Sequence, residues 1–125
     1  MEKVLIVMLD GAIPPDLGAA EVLVIAPALN SRLRHWLSDD DAARRYAAER
    51  AAACVDRLEG LGVRARGRVG DADPLQAIAD ALPRFAADEI VIAAEAERSS
   101  RLADRARTRF ALPIVRTQEP LPHAA

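Results

Sequence analysis

The residues able to do chemistry in this 125-residue chain are few, and most fall beside turns. Asp10, Asp71 and Asp73 each stand just past an apolar or alternating run, at the carboxyl end of a segment that reads as a strand. Three carboxylates converging there would suit a hard cation, which takes oxygen ligands. Each has a plainer reading: Asp73 precedes Pro74 and suits a helix cap, and Asp71 follows Gly70 as a turn residue. A second group, Arg98-Ser99-Ser100-Arg101, stands at an expected helix start, where backbone N–H groups and guanidinium charge would receive an anion; the plainer reading is that Ser99 or Ser100 simply caps the helix. His35 beside Trp36 has no paired base in view and reads as a local packing and capping cluster. Cys54, the only cysteine, has no disulfide partner within the chain and falls on an apolar helix stripe as inert packing. One cysteine and two distant histidines rule out zinc spacing, and neither a P-loop nor a dinucleotide glycine fingerprint occurs. No reaction is specified, and the expectation is a protein that is not an enzyme.

Composition narrows the setting. Half of the residues are apolar (51%) but only four are aromatic, so the core must be aliphatic and alanine-rich. Seventeen basic against nineteen acidic residues leave a net charge of −2, and Lys3 is the only lysine. No run reaches the ~20 apolar residues that span a bilayer, and the apolar start lacks a basic leader, so a cytoplasmic protein without membrane contact is expected. Arg64, Arg66 and Arg68 alternate with Val63, Ala65, Gly67 and Val69. That period-2 pattern predicts an edge strand with one solvated face, whose arginines discourage stray pairing. A nucleic-acid surface would want interleaved aromatics, which are missing, so no nucleic-acid partner is expected.

The elements that must position these residues follow from periodicity. Val4–Leu9, Val22–Ala26 and Ile90–Ala94 are unbroken apolar runs, as in strands covered on both faces of a parallel sheet. Ser38 with Asp39, Asp40 and Asp41 predicts a helix start, and Ala43, Ala47, Ala51, Cys54, Leu58 and Leu61 give that helix one apolar stripe, ended by Gly60 or Gly62. Asp73-Pro74 opens a second helix with a stripe of Leu75, Ile78, Ala79, Leu82 and Phe85, which Pro83 should end. Leu102, Ala103, Ala106 and Phe110 mark a third helix, and Pro113–Val115 begins a short last strand. One α/β domain over residues 1–118 with a frayed tail over 119–125 is expected. The dozen residues between the first two strands, with Pro14-Pro15, leave room for one helical turn from Pro15 to Ala20; a short crossover is favoured over a hairpin because both strands read as doubly covered.

Taken in order, Leu9-Asp10-Gly11-Ala12, Glu21-Val-Leu-Val-Ile-Ala-Pro27, a long helix, Val69-Gly70, a helix, Ala87-Asp88-Glu89-Ile90-Val91-Ile92 and Leu112-Pro113-Ile114-Val115 resemble the universal stress protein family over nearly the whole chain. Stretches like Pro27-Ala-Leu-Asn-Ser-Arg-Leu-Arg-His-Trp36 and Gly70-Asp-Ala-Asp-Pro-Leu-Gln-Ala-Ile78 are most similar to an actinobacterial branch. The resemblance implies a three-layer α/β/α fold with a five-stranded, mostly parallel sheet in the order 3-2-1-4-5, its first crossover helix shortened or absent. It also implies a homodimer through the final strand and a ligand crevice at the switch point between the first and fourth strands. Asp10, Gly11, Ala26, Pro27, Arg98, Ser99, Ser100 and Arg101 would line that crevice, and ATP or AMP would be its ligand.

The chain departs from the family in two places. After Ile92 it reads Ala93-Ala-Glu-Ala-Glu-Arg-Ser-Ser-Arg101, with no glycine anywhere beyond Gly70. A phosphate cradle needs backbone free to approach the anion, and Glu95 and Glu97 would repel it. Loss of the first helix should also bare part of one sheet face, inviting a protein partner or a second subunit. A receiver domain shares the architecture, but that family uses an aspartate after the third strand and a lysine near the fifth, and no lysine follows Lys3. Three readings stand: a non-catalytic stress or signalling module with a degenerate nucleotide site, an adenine-nucleotide binder using the crevice, and an enzyme of the adenine nucleotide hydrolase-like architecture.

Overall fold

A computed structural model of the chain describes residues 2–10, 17, 20–29 and 40–117. Gly11, Ala12, most of the turn expected from Pro15 to Ala20, the cap expected at Ser38, the His35-Trp36 pair and the tail from Glu119 lie outside the described residues.

Five strands, β1 (Glu2–Met8), β2 (Ala20–Pro27), β3 (Arg64–Gly70), β4 (Glu89–Ala93) and β5 (Ile114–Arg116), form one sheet in the order β3-β2-β1-β4-β5. Every pairing is parallel, with Val4 opposite both Val22 and Glu89, Leu23 opposite Arg66, and Ile90 opposite Ile114. The parallel β1–β2 register, from Glu2–Ala20 to Val7–Ile25, excludes a hairpin between these strands, so the short connection is a crossover. The all-apolar strands explain the arrangement. Neither side of β1, β2 or β4 offers a face that water would tolerate, so each must be covered on both sides, and burial of a Leu or Ile side chain contributes roughly 1.5–3 kcal/mol.

Helix α1 (Asp40–Gly60) covers one face. Ala47, Ala51, Cys54 and Leu58 pack there against Val4, Ile6, Val22, Val24, Ala65 and Val91. Its end is a Schellman turn: the N–H of Val63 donates to the Leu58 carbonyl and that of Gly62 to the Glu59 carbonyl, each at 3.0 Å, with Gly62 at φ +83°. Of the two candidate glycines, Gly62 therefore terminates the helix. Leu61, expected on the buried stripe, is 61% exposed because it stands at the cap, where the chain turns away and Val63 takes its place against the core.

Helices α2 (Pro74–Ala81) and α3 (Ala96–Arg109) cover the opposite face. There Leu75, Ala77, Ile78, Ala81, Phe85, Leu102, Ala103 and Ala106 pack on Leu5, Val7, Leu23, Ile25, Ile90 and Ile92. Asp73 caps α2 as expected, its Oδ1 accepting from the Leu75 N–H at 3.0 Å, while Asp71 Oδ1 accepts from the Asp73 N–H at 2.9 Å in the preceding turn. The α2 stripe is rotated slightly from expectation, with Ala77 and Ala81 fully buried and Ala79 and Leu82 partly so. This rotation brings Ala77 onto Gly70.

The expected bare strip of sheet is not found at β1 or β4, where Val4, Ile6, Met8, Val91 and Ala93 are all buried. Leu17, from the β1–β2 connection, packs on this face, so a short crossover still contributes cover. What exposure there is falls on Val115 of β5, which is 44% accessible. Among the described residues no helix is long and apolar enough to cross a membrane.

Two outcomes test this packing. A methyl on Gly70 would stand 2.7 Å from Ile25 Cγ2 and 2.9 Å from Ala77 Cβ, where β2, β3 and α2 meet. Gly70→Ala should therefore destabilise the protein by about 1–3 kcal/mol through overpacking, lowering Tm by several degrees in a thermal melt. Cys54 is 3% exposed, and burial pushes its thiol up to about 11, against a smaller opposing pull from Arg57. Titration with a thiol-reactive chromophore at pH 8 should leave the native thiol almost unmodified and show full reaction in denaturant.

Candidate functional site

The parallel order sends the carboxyl ends of all five strands to one edge, and the segments that follow the neighbouring strands β1 and β4 leave for opposite faces there. Asp10 lies at this switch point, two residues beyond β1. Its main chain and side chain both reach across. The N–H groups of Leu9 and Asp10 donate to the Ala93 carbonyl at 2.9 and 3.3 Å, and Asp10 Oδ2 accepts from the Glu95 N–H at 3.1 Å. The same Oδ2 lies 3.7 Å from a guanidinium nitrogen of Arg98, the two side chains being 36% and 45% exposed. Asp10 thereby clasps the end of β1 to the turn that leads from β4 into α3.

That turn has an unexpected cap. Helix α3 begins at Ala96 and its cap is Glu95, whose carboxylate accepts from the N–H groups of Glu97 (3.3 Å) and Arg98 (2.7 Å). Ser99 and Ser100, the expected caps, lie inside the helix, four and five residues beyond Glu95. Ser99 is 1% exposed and its hydroxyl donates to the Ala96 carbonyl at 3.1 Å. The displacement has a simple cause: a cap bonds the N–H groups two and three residues further on, and Glu95 is the first residue after β4 with a side chain able to bend back over the opening turn. The positive end of the helix, where a phosphate would bind, thus already holds a carboxylate of the chain itself.

Arg50 is the functional residue that sequence reading missed. It falls outside the apolar stripe of α1, yet it is half-buried and its guanidinium donates to the Pro27 carbonyl at 2.7 Å, at the end of β2. Burial and the neighbouring Arg98 charge lower its pKa, while Asp10 opposes the shift. Its position one residue ahead of Ala51, on the flank of the apolar stripe, was the available signal. Among the described residues Asp10 Oδ1 and Arg50 Nε are buried polar atoms with no hydrogen-bond partner.

Of the expected site residues, the structure gathers Asp10, Pro27 and Arg98 around Arg50 and Glu95. Ala26 and Pro27 are buried at the end of β2, where Pro27 contributes its carbonyl. Ser99 is buried with its hydroxyl turned back to the Ala96 carbonyl, and Ser100 is half-buried. Arg101 is exposed and lines a separate groove of about 260 Å³ with Leu9, Leu29, Asp73, Arg98 and Arg105. Gly11 lies outside the described residues. The three aspartates do not converge: Asp71 and Asp73 serve the α2 turn and Asp10 serves the clasp, and among the described residues no cluster of three metal-ligating side chains occurs.

No protein-family model matches the sequence, and no curated protein is significantly similar to it. A similar solved structure is that of the hypothetical protein MJ0577, described as a structure-based assignment of biochemical function and a test case of structural genomics. The two share 13% identity with a TM-score of 0.65, over 96% of this chain and 97% of that one. The fold of the present chain is therefore the universal-stress-protein-like α/β/α sandwich, with the strand order that the resemblance implied.

The clasp makes a measurable contribution. Asp10→Ala should leave the Glu95 N–H without its acceptor and Arg50 facing Arg98 without the intervening carboxylate, at a cost of about 1–3 kcal/mol. Asp10→Asn, which retains an acceptor oxygen, should lose less. Urea unfolding of the two variants beside the parent gives the comparison, and equal stability of all three would count against a structural role for Asp10.

Proposed function

We propose that this chain is a non-catalytic stress or signalling module of the universal-stress type, working in the cytoplasm, in which the nucleotide site has become part of the scaffold. One observation carries the reading: the Glu95 carboxylate takes the Glu97 and Arg98 N–H groups at the start of α3. An incoming phosphate would have to displace this carboxylate and meet the charge of Glu97 as well. Asp10 is committed to the Glu95 N–H and the Arg98 ion pair, which supports the same conclusion at the nucleoside end of the crevice.

Association through β5 fits this role. Among the described residues β5 pairs with β4 alone, its outer Ile114 carbonyl accepting only from the Arg107 side chain at 3.0 Å, and Val115 supplies exposed apolar surface. A homodimer across this edge would leave the outgoing ends of both sheets free for a protein partner.

A second reading, an adenine-nucleotide binder, is favoured by the groove that Arg98, Arg101 and Arg105 share with Leu9 and Leu29. Three guanidinium groups along one helix could hold phosphates without the helix terminus. Thermal-shift titration with ATP, AMP and Mg²⁺ separates the two. A ligand at about 100 times its Kd adds roughly 2.7 kcal/mol, enough to raise Tm by several degrees. The module reading expects a flat response to millimolar nucleotide; a saturating rise would overturn it in favour of the binder. Glu95→Ala should cost about 1 kcal/mol as a lost cap and make Tm newly responsive to inorganic phosphate.

A further inference from the structure

A cavity lies away from the switch point, along the free edge of the sheet. It measures about 480 Å³ and lies between β3 and α2. Its floor is apolar, formed by Leu23, Ile25, Ala77, Ala81 and Phe85, and Arg44, Arg66, Arg68 and Arg84 stand around it. Asp71 and Asp80 also line it, but Asp71 accepts from the Asp73 N–H and Asp80 from the Gln76 amide. All four arginines are exposed, and none makes an ion pair or side-chain hydrogen bond with another described residue. Four arginines against two aspartates thus leave the groove positive in a chain whose net charge is −2.

The groove has a counterpart on the other side of the same strand. A shallow hollow of about 350 Å³ there is lined by Ala48, Ala51, Ala52, Val55, Gly67 and Val69, with Asp56 and Arg68 at its margin. Between the two runs β3, which pairs with β2 and has no partner on its outer side among the described residues. An extended segment laid beside β3 at the ordinary spacing of ~4.8 Å would send alternate side chains to opposite faces. One set would meet Arg64, Arg66 and Arg68; the other would lie over Gly67, Val69 and Val55.

We propose that the β3 edge is a docking site for an extended segment of a partner protein in which acidic and apolar residues alternate, added to the sheet as a sixth strand. Arginines on an edge serve to repel other strands, and these would repel a second copy of β3. Repulsion of that kind does not require an apolar floor beneath the charges or an apolar hollow behind them. Main-chain bonds to β3 supply affinity independent of sequence, and the two grooves select the alternation. Nucleic acid fits less well, since it cannot extend the backbone ladder and the floor presents no exposed aromatic ring.

The test uses the full chain and a fluorescein-labelled eight-residue peptide alternating Glu and Val, with a peptide of the same composition in two blocks and a single-stranded DNA octamer as comparisons. Anisotropy at low salt should show the alternating peptide binding at least tenfold more tightly than either. Arg66→Ala/Arg68→Ala should weaken it at least tenfold, and Arg84→Ala on the other flank at least threefold, with circular dichroism melts reporting that each variant folds. Amide exchange along β3 should slow when the peptide is bound. Equal affinity for the block peptide, tighter binding of the DNA, unchanged affinity in both arginine variants, or no binding at millimolar peptide would each overturn the proposal.

Discussion

The structure depends on the absence of polar side chains from the middle of its sheet. Over Val4–Met8, Val22–Ala26 and Ile90–Ala93 the residues are valine, isoleucine, leucine, methionine and alanine, so the middle of no strand can turn a face to water. Cover on both sides requires crossovers, crossovers make the pairing parallel, and parallel pairing delivers every outgoing end to the same edge. Polar chemistry can then occur only around the rim. Asp10 and Glu95 meet at one part of that rim because each is the first polar residue after its strand, and Arg50 and Arg98 reach the same place from helices α1 and α3.

What these rim residues do differs from what their types alone suggest. An aspartate after the first strand and a helix start after the fourth are the elements of a ligand crevice, but here they bind each other. The aspartate accepts from the turn and the turn's glutamate accepts from the helix, so donors that might have faced an anion are satisfied internally. Arg50 adds a contact from the opposite layer, joining α1 to the end of β2. The result is a rim in which three separate segments are held by charge-assisted hydrogen bonds over a largely aliphatic interior.

Much of this was legible from the residues in order. Unbroken apolar runs identified β1, β2 and β4, strict alternation identified β3 as an edge, and Asp73-Pro74 fixed the start of α2, because each signal is local. The failures were of another kind. Ser99 and Ser100 have better capping propensity than Glu95, and only the position of β4 in space shows that the helix has already begun when the chain reaches them. Leu61 continued the stripe of α1 on paper, but Gly62, with its positive φ, had already turned the chain. Arg50 lay hidden among exposed neighbours because half-burial of a long side chain against a distant carbonyl leaves no mark on periodicity. In each case the missing information was which other segment comes near.

The two borders of the sheet are unlike, and this limits how copies of the molecule can assemble. One border is a three-residue ribbon carrying a bare valine; the other is a seven-residue ribbon whose three guanidinium groups project from one side. Whatever joins at the short border, identical molecules meeting through the long one would bring like charges together. Self-association therefore has a terminus built into it, and a continuous fibre of stacked sheets is disfavoured by the protein's own electrostatics rather than by any separate protective element.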